Sequence, residues 1–261
     1  MHSGCPITSP RGSFSSLPPI LCYHKIERRW ELGVTRLSPR RFARQIERLA
    51  SAGWRSLTLA ELHACALGHR VPGRRELAIT FDDAYRGLRD HAFPVLAAVG
   101  YSAVCAVITD FAGRLNRWDV AYGGRRFAHL TWRDIGRWQG RGIEFVSHTA
   151  THPRLTWLGD AAVARELSRS RQALDGVRTV SYPFGAAGPR ERRLARAEGY
   201  TLGLTLATAW AGDTLAVPRL PVYGWSMPTP GVGPLARVEW LAAAAANRCA
   251  VGTTIIRSIG R

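Results

Sequence analysis

Short apolar blocks alternate along the chain with longer stretches in which apolar residues recur every three or four positions. The blocks at 19–23 (PILCY), 54–57, 77–81, 103–108, 143–147, 177–182, 201–205 and 220–223 have strand length, and the uniformly apolar ones read as strands buried on both faces. The intervening stretches predict helices over 58–66, 88–99, 132–139, 160–174 and 190–198, and one more that opens at Ser38 and Pro39. There Ser38 suits the cap and Pro39 the first helical position, while Phe42, Ile46 and Leu49 share one face and Gly53 ends the helix. Strand and helix alternating in this way build parallel βα units. This many of them favour an α/β barrel, closed or nearly closed, over a sandwich.

The pattern fades at both flanks. Residues 1–18 mix Ser, Pro, Gly and Arg, without the apolar stretch of roughly 7–15 residues that an export signal needs, so a disordered segment and no leader are expected there. Residues 19–233 read as one domain, and 234–261 as a helix over 234–247 followed by a basic, apolar tail containing Ile255, Ile256 and Arg257. No run is long and apolar enough to span a bilayer. The five cysteines are an odd number and widely spaced, and several lie in apolar blocks, which suggests buried thiols in a reducing compartment. A cytoplasmic protein is the expectation. The net charge of +17 rests almost wholly on arginine, Lys25 being the single lysine. Such a charge suits nucleic acid, an anionic membrane surface or a phosphorylated substrate, yet a coding bias toward Arg and Ala gives the same balance. The arginines are dispersed and no zinc-finger or RNA-recognition signature accompanies them, so no specific nucleic acid is expected; peripheral contact with an anionic membrane stays open.

Two predicted strands end in groups that a core does not need. Asp82 and Asp83 terminate the apolar run of Leu77, Ala78, Ile79 and Phe81, and in α/β folds ligands gather beyond the carboxyl ends of the strands. Neighbours leaving a strand project to different sides, so one carboxylate could hold a metal while the other faces water and substrate. Alone, the pair could equally cap a helix. The strand IEFVS runs into Ser147-His148-Thr149-Ala150-Thr151-His152-Pro153, where two imidazoles four apart reach one side if the segment turns helically. Alone, that spacing also arises by chance. Joined, the two motifs offer one carboxylate and two imidazoles to a divalent cation, with a second acid beside it.

TFDD, SHTATHP and SYPFG (181–185), in this order and at this spacing, resemble the polysaccharide deacetylases of the NodB-homology type, also called carbohydrate esterase family four. The resemblance covers roughly 19–223. It implies a distorted (β/α) barrel of about seven parallel strands and metal-dependent removal of an acetyl group from an N-acetylated amino sugar. It makes Asp83, His148 and His152 the metal ligands and Asp82 the general base. The backbone N–H of Phe184, beside Tyr182 in the third motif, becomes the oxyanion donor. Zinc suits two His and one carboxylate best, with cobalt, nickel or manganese as alternatives.

The chain departs from the family pattern twice. Ser181 stands where many members carry an arginine that orients the base; Arg178 and Arg219 could replace it, and Arg219, on the last strand, is better placed. No histidine follows His152, whereas the usual order ends in an L-x-x-H strand whose His is the general acid. Leu21-Cys22-Tyr23-His24 has that form on the first strand, which resembles the circularly permuted branch and makes His24 the candidate acid. His63, His69, His91 and His129 lack acidic partners in sequence and read as packed or solvated. The loop after the 103–108 strand brings Asn116, Trp118 and Asp119 to the same rim, as candidates for contacting a sugar. An N-acetylhexosamine in a glycan or in a lipid- or nucleotide-linked precursor is the expected substrate. A different amide, such as a formylated amino sugar, or a glycan-binding barrel without turnover, are the competing readings.

Overall fold

The computed structural model describes residues 17–31, 35–118, 126–207 and 209–226, together with 238, 241, 242, 245 and 246. The N-terminal segment before residue 17 lies outside the described residues, as does most of 227–261, which includes the expected terminal helix and tail. No described helix is long and apolar enough to cross a membrane.

The strands are β1 (Ile20–Tyr23), β2 (Lys25–Ile26), β3 (Arg36–Leu37), β4 (Arg55–Ser56), β5 (Glu76–Phe81), β6 (Ala103–Val107), β7 (Ile143–Ser147), β8 (Thr179–Ser181), β9 (Leu202–Thr205), β10 (Val217–Pro218) and β11 (Leu220–Pro221). The helices are α1 (Pro39–Ser51), α2 (Leu59–Ala66), α3 (Phe93–Ala98), α4 (Trp132–Trp138), α5 (Asp160–Ala173) and α6 (Pro189–Ala197). The predicted 88–99 helix is one wide turn over Leu88–Ala92 leading into α3, because Pro94 has no N–H to give to the turn before it.

The main sheet runs β10-β9-β8-β7-β6-β5-β1-β11, all parallel, with β4 added to the outer side of β5. Its two ends, β10 and β11, are consecutive pieces of chain separated only by Arg219. The first half of this segment pairs with β9 and the second with β1, so one interrupted strand closes the ring. Counted that way the barrel has seven staves, as the sequence suggested. Pro218 and Pro221 lack the N–H that an uninterrupted ladder would need, which is consistent with the switch of partner at this place.

Side chains alternate between two environments. Leu21, Tyr23, Leu77, Ile79, Phe81, Ala103, Cys105, Val107, Ile143 and Phe145 share the outer core beneath α1, α3 and α4. Ile20, Ala78, Leu202, Leu204 and Val217 pack with Leu62 and Ala66, so α2 closes the end of the barrel opposite the strand carboxyl ends. Glu144 accepts a 2.7 Å bond from the Leu59 N–H and fixes that plug. Apolar filling at one end leaves the other end for polar side chains.

Candidate active site

The register of β1 against β5 (Tyr23 opposite Phe81) carries His24 alongside Asp82 as both strands end. Asp83 follows and turns away with φ +69°. Its Oδ1 lies 3.3 Å from His148 Nε2 and 3.5 Å from His152 Nε2, and all three residues are buried. His148 donates its Nδ1–H to the Ser181 carbonyl at 2.7 Å, which leaves Nε2 facing the carboxylate. Asp83 Oδ1 is buried without a hydrogen-bond donor. An acceptor oxygen and two imidazole nitrogens converging on one point fit a divalent cation, which would satisfy the orphaned oxygen. Burial opposes ionisation of Asp83, but His148 and His152 outweigh it and draw the carboxyl down to about 2. Burial and neighbouring His148 push His152 down to about 3, so it stands as the neutral, ligating imidazole at ordinary pH.

The backbone around these groups is strained. Among the described residues six non-glycine residues have positive φ, and Asp83, Ala84, Thr149, His152 and Phe184 are five of them. Each such residue costs on the order of 1–3 kcal/mol, and local bonds hold it there. Thr149 Oγ1 accepts from the His152 N–H at 3.1 Å, while Glu166 on α5 accepts from the N–H and hydroxyl of Thr151, both at 2.8 Å.

Asp82 is bound on every side. Arg219 donates Nη1 to Oδ1 and Nη2 to Oδ2, each at 2.8 Å; Ser181 donates its hydroxyl to Oδ1 at 2.9 Å, and the Cys22 thiol donates to Oδ2 at 3.4 Å. Arg219 is fully buried and also reaches Thr80 Oγ1. Burial works against the charge on Asp82, yet Arg219 keeps its carboxyl far below the usual range. Ser181 thus leaves the space in which Arg219 lies, and no bond from Arg178 to Asp82 is present among the described residues. Cys22, His24 and Asp82 also bring potential ligand atoms within 4.8 Å of one another, but the guanidinium on Asp82 repels a cation there. His24 has a buried Nδ1 without a partner, and burial lowers its pKa.

Several expected contacts are corrected. Tyr182 does not face the site: Ser181 points inward to Asp82, so its neighbour points outward and packs with Leu155, Val163, Leu167 and Tyr200. Gly203 makes room for that ring, since a Cβ there would come within 2.7 Å of it. Asn116 is not a free sugar contact; its Oδ1 accepts from the Phe127 N–H at 2.7 Å and ties the loop together. Trp118 is buried, with its ring centroid 3.9 Å from that of His152. Its indole N–H donates to His129 Nε2 at 3.1 Å, which places the His129 proton on Nδ1, directed 2.6 Å away at the Asp83 carbonyl. Asp119 lies outside the described residues. His129 therefore supports a candidate metal ligand, which sequence reasoning missed because its partner is a main-chain carbonyl far away in sequence. Cys22 was missed too, although strand alternation puts it on the same face as His24. Phe184 sits at φ +60° with its ring 4.9 Å from that of His152, and its N–H has no partner among the described residues.

Known proteins resemble this chain in sequence and in fold. The putative polysaccharide deacetylase YxkH of Bacillus subtilis (strain 168) is 27% identical over 192 residues, covering 72% of this chain; the chain spans 63% of that relative's length. The structure of the Streptococcus pyogenes deacetylase PplD in complex with acetate superposes with a TM-score of 0.70 at 22% identity, covering 81% of this chain and 94% of that one. IcaB from Ammonifex degensii gives 0.68 at 24% identity, covering 88% and 96%. At these identities the two structures speak for the barrel itself. The sequence profile described as polysaccharide deacetylase matches residues 69–203, slightly more than half of the chain and inclusive of Asp82, Asp83, His148, His152 and Phe184. The chain belongs to the polysaccharide deacetylase family.

Proposed function

We propose that this chain hydrolyses the acetamide of an N-acetylhexosamine in a glycan or in a lipid- or nucleotide-linked glycan precursor, using one divalent cation, zinc by preference. The observation that carries this reading is the convergence of Asp83, His148 and His152 on one point with Asp82 next in sequence and held ionised. When bound there, a divalent cation polarises an amide oxygen and acidifies a water molecule. The chain's own groups do the rest.

Asp82 takes the proton from the attacking water, and Arg219 sets the direction from which it does so. Four donors already satisfy this carboxylate, so it is a poor place for a proton to stay. His24, within the same cluster and lowered by burial, rests neutral, gains that proton and gives it to the departing amine. The Phe184 N–H donates to the amide oxygen as it gains negative charge. His24 directly follows β1, which lies beside β11 where the ring closes; this supports the permuted motif order.

Acetate release from chitooligosaccharides, measured with and without added zinc, tests the reading. Turnover should require metal, vanish in Asp82→Asn, and fall about 100-fold or more in His24→Gln. Stoichiometric zinc binding should survive both changes and be lost in His152→Ala. Metal-independent turnover, or full activity in Asp82→Asn, would overturn it.

A further inference from the structure

Beyond His152 the rim holds a cation for which the reaction above has no use. Arg154 follows the second imidazole by two residues, and its guanidinium carbon lies 5.4 Å from the ring centre of Trp157 and 5.9 Å from that of Phe184. The Phe184 ring in turn lies 4.9 Å from that of His152, tilted by 59°. The guanidinium is therefore separated from a candidate metal ligand by one aromatic ring.

What distinguishes Arg154 is the lack of any acceptor. Its Nε and Nη1 are buried with no hydrogen-bond partner, the only arginine with two such nitrogens among the described residues. Arg55, Arg70, Arg89, Arg169, Arg190, Arg192 and Arg196 all find carboxylates. Withdrawing donors from water without pairing them is costly, and burial accordingly lowers the Arg154 pKa. The two rings offset part of that cost, at about 0.5–1 kcal/mol each for an exposed contact, and they fix the plane of the guanidinium. A planar cation held between ring faces keeps its N–H edge for an oxyanion, which it can bind through two parallel bonds. Arg154 as a whole is only partly buried and the neighbouring Trp157 is 49% exposed, so the guanidinium borders solvent.

We propose that Arg154 is an anion-recognition point, selecting N-acetylated sugars that carry a phosphoryl or carboxylate group beside the amide-bearing ring. The proposal rests on the deacetylase reading for the identity of the sugar, and on the Arg154 surroundings for the charge.

The test compares three substrates on the zinc-loaded protein: a neutral chitooligosaccharide, the same oligomer ending in a uronic acid, and N-acetylglucosamine 1-phosphate. At least one anionic substrate should exceed the neutral one at least tenfold in kcat/KM, and which one it is separates carboxylate from phosphoryl recognition. Arg154→Gln should bring that ratio to about one, and Arg154→Lys should retain part of it. Calorimetric titration of N-acetylglucosamine 1-phosphate and of the uronic-acid oligomer into Asp82→Asn, with and without Arg154→Gln, reads the same preference without turnover. A ratio near one in the wild type, or a ratio unchanged in a folded Arg154→Gln protein, overturns the proposal. If no substrate releases acetate, the deacetylase reading fails, and the titration still decides the role of Arg154: tenfold weaker binding of an anionic ligand upholds it, and equal binding overturns it.

Discussion

Arg219 grips both carboxylate oxygens of Asp82 at 2.8 Å, from the single residue at which the last strand of the barrel changes partners. Ser181 links the two by accepting from Arg219 and donating to Asp82, each at 2.9 Å. The position where the family resemblance leads one to expect an arginine is filled here by the small hydroxyl of Ser181, and the cation arrives from another strand. The charge is kept while its covalent attachment moves.

Removing that cation should be expensive in both stability and rate. Arg219→Met leaves a buried carboxylate without its counter-charge, and the expected loss is about 3–5 kcal/mol in urea unfolding. Turnover per folded molecule should fall by about 100-fold or more, because the base is no longer aimed. Arg219→Lys keeps the charge but not the paired bonds, so it should recover stability more than rate.

His129 should matter to metal affinity although it does not reach the metal point. It fixes the Asp83 main chain at 2.6 Å, and Trp118 fixes its tautomer. Such outer partners are typically worth about 10–100-fold in affinity, so His129→Phe should weaken zinc binding by that factor in a chelator competition. Trp118→Phe, which removes the indole N–H, should act in the same direction.

Strained positions inside and outside the site should answer differently to glycine. Asp175 adopts φ +51° away from the site, and Asp175→Gly should raise stability by about 0.5–1 kcal/mol by removing the penalty on its Cβ. Thr149→Gly relieves the same kind of penalty at φ +64° but deletes the oxygen that caps the His152 N–H, so zinc affinity should drop even if the melting temperature does not.

A surface cluster supplies a pH signature separate from catalysis. Arg70 and Arg55, with the Gly73 N–H, hold Glu76 down at about 2 against a residual burial penalty. A depressed carboxyl stabilises the fold above its unfolded pKa, and that contribution drains away as pH falls toward the folded one. The difference in melting temperature between wild type and Glu76→Gln should be full at pH 6 and shrink progressively from about pH 4.5 down to about 2.

Much of this arrangement is legible in the residues themselves. Strands buried on both faces announce themselves as apolar runs, and acids or imidazoles that terminate such runs stand out because packing has no use for them. His24 and Arg219 come into view only through the family resemblance, the one by its L-x-x-H form and the other as the replacement for a missing arginine. Tyr182 was misplaced for want of a period-two check: once Ser181 faces the carboxylate, its neighbour must face the helices. Asn116, Trp118 and His129 were beyond reach because their partners are main-chain groups and rings brought together by tertiary packing, with no local pattern to mark them. The split of the last strand is equally silent, since the apolar block at 220–223 gives no sign that the residues just before it pair with a different neighbour.

The interrupted stave at Val217–Pro221 means that the profile-matched stretch 69–203 carries Asp83, His148 and His152 yet neither His24 nor Arg219. Those two come from pieces nearly two hundred residues apart that meet only where the ring is sealed. The seam of the barrel thus supplies His24 and the guanidinium that grips Asp82, while its wall supplies Asp82, Asp83, His148 and His152. Prying that seam open would part the buried guanidinium from the carboxylate it holds, while Asp83, His148 and His152 all follow strands inside the matched stretch.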